Sequence, residues 1–232
     1  MTACSTHFVL LPGLVCTEEL FAEQIASLRG DVTISVADHT RHDTMSGIAQ
    51  TVLAKATQPI CAVWPLHGRF HRFRDDAPGT RPYRTPRSPG FIRAFRHPTE
   101  WRLQLIAMAQ TGGFKSVRDN LWPLFVHPAR HDDVMLKRAV FNMKDDTGPK
   151  TFIRQEKAIM SRSDSRLSLG AIHCPTLMLV GNEDALTPVS AARMIAEGIV
   201  GSKIDIVQDC RHLSTTEWQD AVIEALRAWI AR

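Results

Sequence analysis

The sequence predicts an α/β fold: a mostly parallel sheet flanked by helices, with a helical insertion and an irregular stretch at residues 64–99. Three observations predict it. Short apolar runs alternate with helical periodicity from residue 7 to residue 63. The same alternation returns from residue 176 to the C-terminal helix. Between them, residues 101–161 carry helical periodicity with no strand signal. Alternating strands and helices favour parallel pairing, because each crossover helix returns the chain to the same edge.

His7 to Leu11 reads as a buried strand that ends at Pro12-Gly13. Glu18 to Leu28 reads as a helix, with Leu20, Phe21, Ile25 and Leu28 on one face and Gly30 as its stop. Val32 to Val36 alternates like a strand. Asp43 or Thr44 is placed to cap a helix that carries Met45, Ile48, Val52 and Leu53. A third strand begins at Pro59 and runs to Val63. Helices are expected over 101–111, 114–126, 132–144 and 148–161. Thr176 to Val180 and Ile204 to Val207 are strands, and Thr187-Pro188 starts the helix between them. Ser214-Thr-Thr-Glu217 matches a capping box before a last helix aligning Trp218, Val222, Leu226, Trp229 and Ile230. The expected organisation is a core of residues 1–100 and 166–232 with a helical cap over 101–165.

With 232 residues the chain is long enough to bury a full core. Its five cysteines, Cys4, Cys16, Cys61, Cys174 and Cys210, are scattered and form no Cys-x-x-Cys pair. That pattern speaks against a disulfide framework or zinc site and points to a reducing cytoplasm. The apolar run Phe8 to Leu11 is far too short for a signal peptide or a membrane span, so no membrane association is expected.

The charge of +4 is unevenly spread. Residues 64–99 hold eight arginines, two aspartates and neither glutamate nor lysine, for +6, so the remainder carries −2. The same 36 residues hold six of the 13 prolines and the single tyrosine, Tyr83. No helical or strand period survives there beyond a few residues, and prolines at 65, 78, 82, 86, 89 and 98 break longer helices.

Two polar residues stand just past apolar strands. Asp184 closes the run Val180-Gly-Asn-Glu-Asp184, and His212 lies in Asp209-Cys-Arg-His-Leu213. In open parallel sheets, ligands bind beyond the carboxyl ends of the strands. A carboxylate that orients an imidazole is two thirds of a nucleophile-activating triad. Either residue alone reads equally well as a turn or packing residue; their order and placement together favour catalysis.

The runs at 179–188 and 209–213 resemble the acid and histidine motifs of the α/β-hydrolase superfamily, whose chain order is Ser, Asp/Glu, His. Leu10-Leu-Pro-Gly-Leu14 resembles its oxyanion loop. The resemblance covers residues 7–63 and 101–232. It implies a Ser-Asp-His mechanism with Asp184 and His212, and backbone donors near Gly13 and Leu14 for the oxyanion. Two departures stand out. Pro12-Gly13 replaces the His-Gly of many members, and Arg211 stands where glycine usually precedes the histidine and threatens to crowd the loop.

The family's Gly-x-Ser-x-Gly follows the strand that ends here at Val63, but this chain has Trp64-Pro-Leu-His-Gly68. Leu66 holds the nucleophile position and has no nucleophilic atom. We read this as a shifted reading frame, the alternative being a genuine Arg/Pro-rich disordered insert that binds acidic partners. Tryptophan has one codon, TGG, and proline codons begin with C, so reading one base later makes the next codon GGC, glycine. Continued to residue 98, the shifted phase permits Gly-Leu-Ser-Met-Gly-Gly, an amphipathic helix and a buried strand. Most shifted codons leave two to four choices. One inserted and one later deleted base would keep the length.

The expected function is hydrolysis of a small ester, lactone or related acyl substrate by a carboxylesterase-like enzyme, with this exact chain inactive and poorly folded for want of a central strand. No cofactor and no metal are implied, and the partner expected is a small acyl substrate. Oligomeric state is left open. Two rivals remain: a non-catalytic hydrolase-like binding protein or decayed gene product, and nucleic-acid binding by the arginines of 64–99, for which no aromatic-basic interleaving speaks, so no nucleic-acid partner is expected.

Overall fold

The computed structural model describes residues 7–55, 60–64, 69–72, 99–162, 164, 166–173 and 175–231. These form a six-stranded sheet of β1 (His7–Leu10), β2 (Thr33–Val36), β3 (Ile60–Trp64), β4 (Arg69–Arg72), β5 (Thr176–Gly181) and β6 (Lys203–Val207). The spatial order is β2-β1-β3-β4-β5-β6. All neighbours are parallel except at β4, which runs antiparallel to both β3 and β5. The carboxyl ends of the other five strands therefore share one edge, with Leu10 level with Val36 and Val63, and Gly181 level with Val207.

Successive strand residues face opposite sides, so one strand feeds two cores. Phe8, Leu10, Leu177 and Leu179 pack against α1 (Ala22–Leu28) and α8 (Gln219–Ile230), and the Phe8 and Trp229 rings lie 6.0 Å apart. On the other face, Val9 and Leu11 meet Ile48 and Val52 of α2 (Met45–Lys55). There too, Met178 and Val180 meet Ile195 of α6 (Val189–Glu197). Every residue of β5 is buried, as befits an interior strand covered on both faces.

A helical block enters between β4 and β5: α3 (Thr99–Gln110), α4 (Phe114–Phe125) and α5 (Val134–Met160). Asp133 caps α5 by accepting from the Leu136 amide at 2.9 Å. The two helices expected over 132–144 and 148–161 follow one another directly, divided by Gly148, whose φ of 69° is left-handed, and by Pro149. The Arg102 guanidinium ties α3 to the buried Glu156 of α5 at 2.6 Å. Among the described residues no helix is long and apolar enough to cross a membrane.

Several expectations need correction. Residues 64–98 are not wholly irregular, and the sheet is not left short of a strand. Four residues after β3, β4 occupies the place between β3 and β5, with Arg69 level with Trp64 and Met178. The driving force is the backbone's own: interior strand edges need partners for every N–H and C=O, whatever side chains supply them. The helix over 18–28 opens as a 3-10 turn, Glu18–Phe21. Thr187 does not cap α6, because its hydroxyl goes to Asp184. Ser214 begins α7 (Ser214–Glu217) rather than capping it, and Glu217 turns away to other partners. Trp218 is exposed, its indole N–H donating to the Asp209 carbonyl, while Val222, Leu226 and Trp229 bury as expected. Of the two caps offered for α2, Thr44 serves, accepting from the Gly47 amide.

Candidate active site

Asp184 lies in the turn after β5, and His212 in the loop after β6. Strand pairing brings these loops side by side at the carboxyl edge. Gly181 lets them touch: a Cβ there would overlap the Cys210 and Arg211 carbonyl oxygens. Asn182 stitches them further, its side-chain oxygen accepting from the Cys210 amide at 3.3 Å while the Glu183 amide donates to the Cys210 carbonyl at 3.0 Å.

The result is a buried pair. Asp184 Oδ2 lies 2.9 Å from His212 Nδ1, and both side chains are under a tenth exposed. Asp184 Oδ1 accepts from the Leu186 and Thr187 amides, each at 2.9 Å. Burial works to raise the Asp184 pKa, but the His212 imidazole and the Thr187 hydroxyl and amide outweigh it, and the carboxyl lies below its usual range. An ionised carboxylate at Nδ1 holds the proton on that nitrogen, so Nε2 carries the lone pair a general base needs.

Gly13 and Leu14 lie in the turn after β1, at the same edge. Next to them Val15 has a φ of 52°, uncommon and strained for a β-branched residue. Gln155 of α5 holds it there, its Oε1 accepting from the Val15 amide at 3.0 Å. His39 Nε2 lies 2.7 Å from the Gln155 amide nitrogen and 3.2 Å from the Gly13 carbonyl, tying His39 to both. Burial pushes the His39 pKa down, which keeps it neutral. Neither residue bore a sequence signal beyond a polar side chain beside an apolar run.

Leu66 falls among residues 65–68, outside the described residues. Its flanks are described: β3 leads within four residues into an antiparallel strand, where a nucleophile elbow leads from strand to helix. The Arg211 guanidinium reaches across to the Pro123 carbonyl near the end of α4.

Two further groups were missed. His127, Glu183 and Asp209 offer ligand atoms within 4.8 Å of one another. They suit a metal poorly. His127 Nδ1 accepts from the Ala129 amide, leaving the proton on Nε2, the atom 3.2 Å from Glu183. Lys144 of α5 is buried, with its ammonium donating to the Arg118 carbonyl at 3.2 Å and lying 4.6 Å over the Phe125 ring. Among the described residues no carboxylate lies within ion-pair distance of it, and burial pushes its pKa down to about 7.

Comparison with known proteins follows the same lines. The thermophilic esterase of Thermogutta terrifontis superposes with a TM-score of 0.76 at 19% identity, over 99% of this chain and 91% of that one. The enol-lactonase of Burkholderia xenovorans superposes at 0.77 with 16% identity, over 99% and 93%. The chain has the α/β-hydrolase fold. No family model matches the sequence. A proline iminopeptidase of Lactobacillus crispatus is 37% identical over 62 residues, a stretch that spans 27% of this chain and about a fifth of that relative's length.

Proposed function

We propose that this fold served an acyl hydrolase acting on a small ester, lactone or related substrate through a Ser-Asp-His triad, and that the chain as written has lost the serine. The observation that carries the reading is the buried 2.9 Å contact between Asp184 Oδ2 and His212 Nδ1 at the carboxyl edge of a parallel sheet. In the intact enzyme a serine at the position of Leu66 would attack the acyl carbon. His212 Nε2 would take its proton and return it to the leaving group, while Asp184 holds the imidazole in that tautomer. Amides near Gly13 and Leu14 would receive the oxyanion. A shifted reading frame would account for the lack of Gly-x-Ser-x-Gly after Val63, for the arginine excess of 64–99 and for the unchanged length. The helical block 101–165 would form a cap that sets substrate choice.

The test begins with the DNA encoding residues 60 to 102. If the shifted phase encodes Gly-Leu-Ser-Met-Gly-Gly, the protein carrying that restored segment should hydrolyse small chromogenic esters and be inhibited by a serine-directed phosphonate. Appreciable phosphonate-sensitive esterase activity in the chain as written, or a shifted phase that yields no such motif, would overturn the proposal.

A further inference from the structure

The helical block does more than lie over the sheet. Its helix α4 ends at Phe125, and the last carbonyls of a helix have no partner within it. Two of them are taken up by the histidine loop. The Phe125 carbonyl accepts from both the His212 and Leu213 amides at 3.1 Å, and the Pro123 carbonyl receives the Arg211 guanidinium. A cation and two N–H dipoles also suit the negative end of the helix dipole. The Phe125 ring lies 5.5 Å from the imidazole of His212.

Glu217 closes the arrangement from the other side. It is 1% exposed, and its carboxylate divides its two oxygens between the two segments. One oxygen accepts from the His127 amide, just past α4, at 2.6 Å. The other accepts from the Arg211 amide at 3.0 Å, immediately before His212. Arg130 meanwhile donates to the Glu217 carbonyl. The amides of residues 211, 212 and 213 are thus all bound by groups outside their own loop, and each group belongs to α4 or is tied to it.

We infer that Glu217 and Phe125 are positioning residues for His212, and that the end of α4 is the seat on which the catalytic imidazole is held against Asp184. One consequence is mechanical. The block does not lift at the α4 end without unseating the histidine, so any opening toward substrate comes from α3 or the first half of α5. The inference concerns the histidine alone and does not depend on a nucleophile. Failure of the esterase assay in the restored protein would count against the proposed function and leave this seat untouched.

The test uses the full chain, labelled with 15N. The His212 Nδ1 proton bound to Asp184 should give a downfield, exchange-protected resonance, assigned by its loss in Asp184→Asn. Glu217→Gln keeps the size but sets an NH2 group against one of the two amides. It should speed exchange of that Nδ1 proton at least tenfold while amide protection in β5 and α8 stays unchanged. Unchanged Nδ1 exchange in a folded Glu217→Gln protein would overturn the inference. The unmodified chain supplies a second reading that needs no variant to fold. Amides of 127, 211, 212 and 213 should open together, with one hydrogen-exchange protection factor distinct from that of α8. Independent exchange of these four, with 212 and 213 as fast as exposed loop, would overturn it equally.

Discussion

The stretches after β3 and after β5 begin alike, each an interior strand ending at the same edge of the sheet, and then part. After β5 the polar atoms of the turn are spoken for: Asp184 by His212, Leu186 and Thr187, and Asn182 by Cys210 and Gln208. After β3 the chain reverses within four residues into a strand that pairs backbone to backbone. The sheet is satisfied by both. A site of the proposed kind would be served only by the first, because hydrogen-bonded ladders ask for any residue, whereas a triad asks for particular atoms in particular places.

The largest effect expected separates these stretches directly. Restoring Gly-Leu-Ser-Met-Gly-Gly after Val63 should raise kcat toward a small ester by on the order of 10⁶ over the chain as written, measured side by side on purified proteins. Equal rates would mean that the two stretches do not differ in function after all. In that restored protein Asp184→Asn should lower kcat by about 10⁴, since the amide no longer holds the imidazole in the useful tautomer. A drop of only a few-fold would reduce the well-ordered loop to scaffolding.

Lys144 sharpens the comparison from within the helical block, where a buried charge lacks the pairing that Asp184 enjoys. Its folded pKa of about 7 lies below the unfolded value of 10.5. The unfolded chain therefore binds more protons between these values, and stability rises with pH across that window. The penalty is fully present below pH 7. Lys144→Met should then raise stability at pH 6 by a few kcal/mol, about 5–10 °C in Tm, with the gain shrinking toward pH 10. A pH-independent gain would show that packing rather than charge is at issue. The smallest change expected is at Gly181. Gly181→Ala sets a methyl against the Cys210 and Arg211 carbonyls and should cost about 1–3 kcal/mol by denaturant unfolding. A neutral outcome would mean that the two loops tolerate more separation than their bonding suggests.

Much of this was legible in the chain itself. The five parallel strands, the strandless block and the catalytic candidates Asp184 and His212 follow from periodicity and from short runs such as Val180-Gly-Asn-Glu-Asp184. Errors fell where one residue had two plausible partners. Thr187 and Glu217 both look like helix caps, since capping is local and visible in a four-residue window. In the folded chain each finds another partner: Thr187 the Asp184 carboxylate three residues before it, and Glu217 the amides of Arg211 and of the distant His127. Trp218 was misplaced for a like reason, its indole preferring the Asp209 carbonyl to the apolar face.

By itself the sequence determined what depends on near neighbours: where the chain alternates, where it coils, which loops carry an acid and a histidine, and where the nucleophile motif is absent. Only the tertiary structure decided that β4 runs antiparallel into the sheet. It also decided that Gln155 holds Val15, and that the carbonyl of Phe125 seats His212. The reason is physical. Every residue carries the same backbone donor and acceptor, so which of them meet across a hundred residues is written in no side chain and is settled by packing.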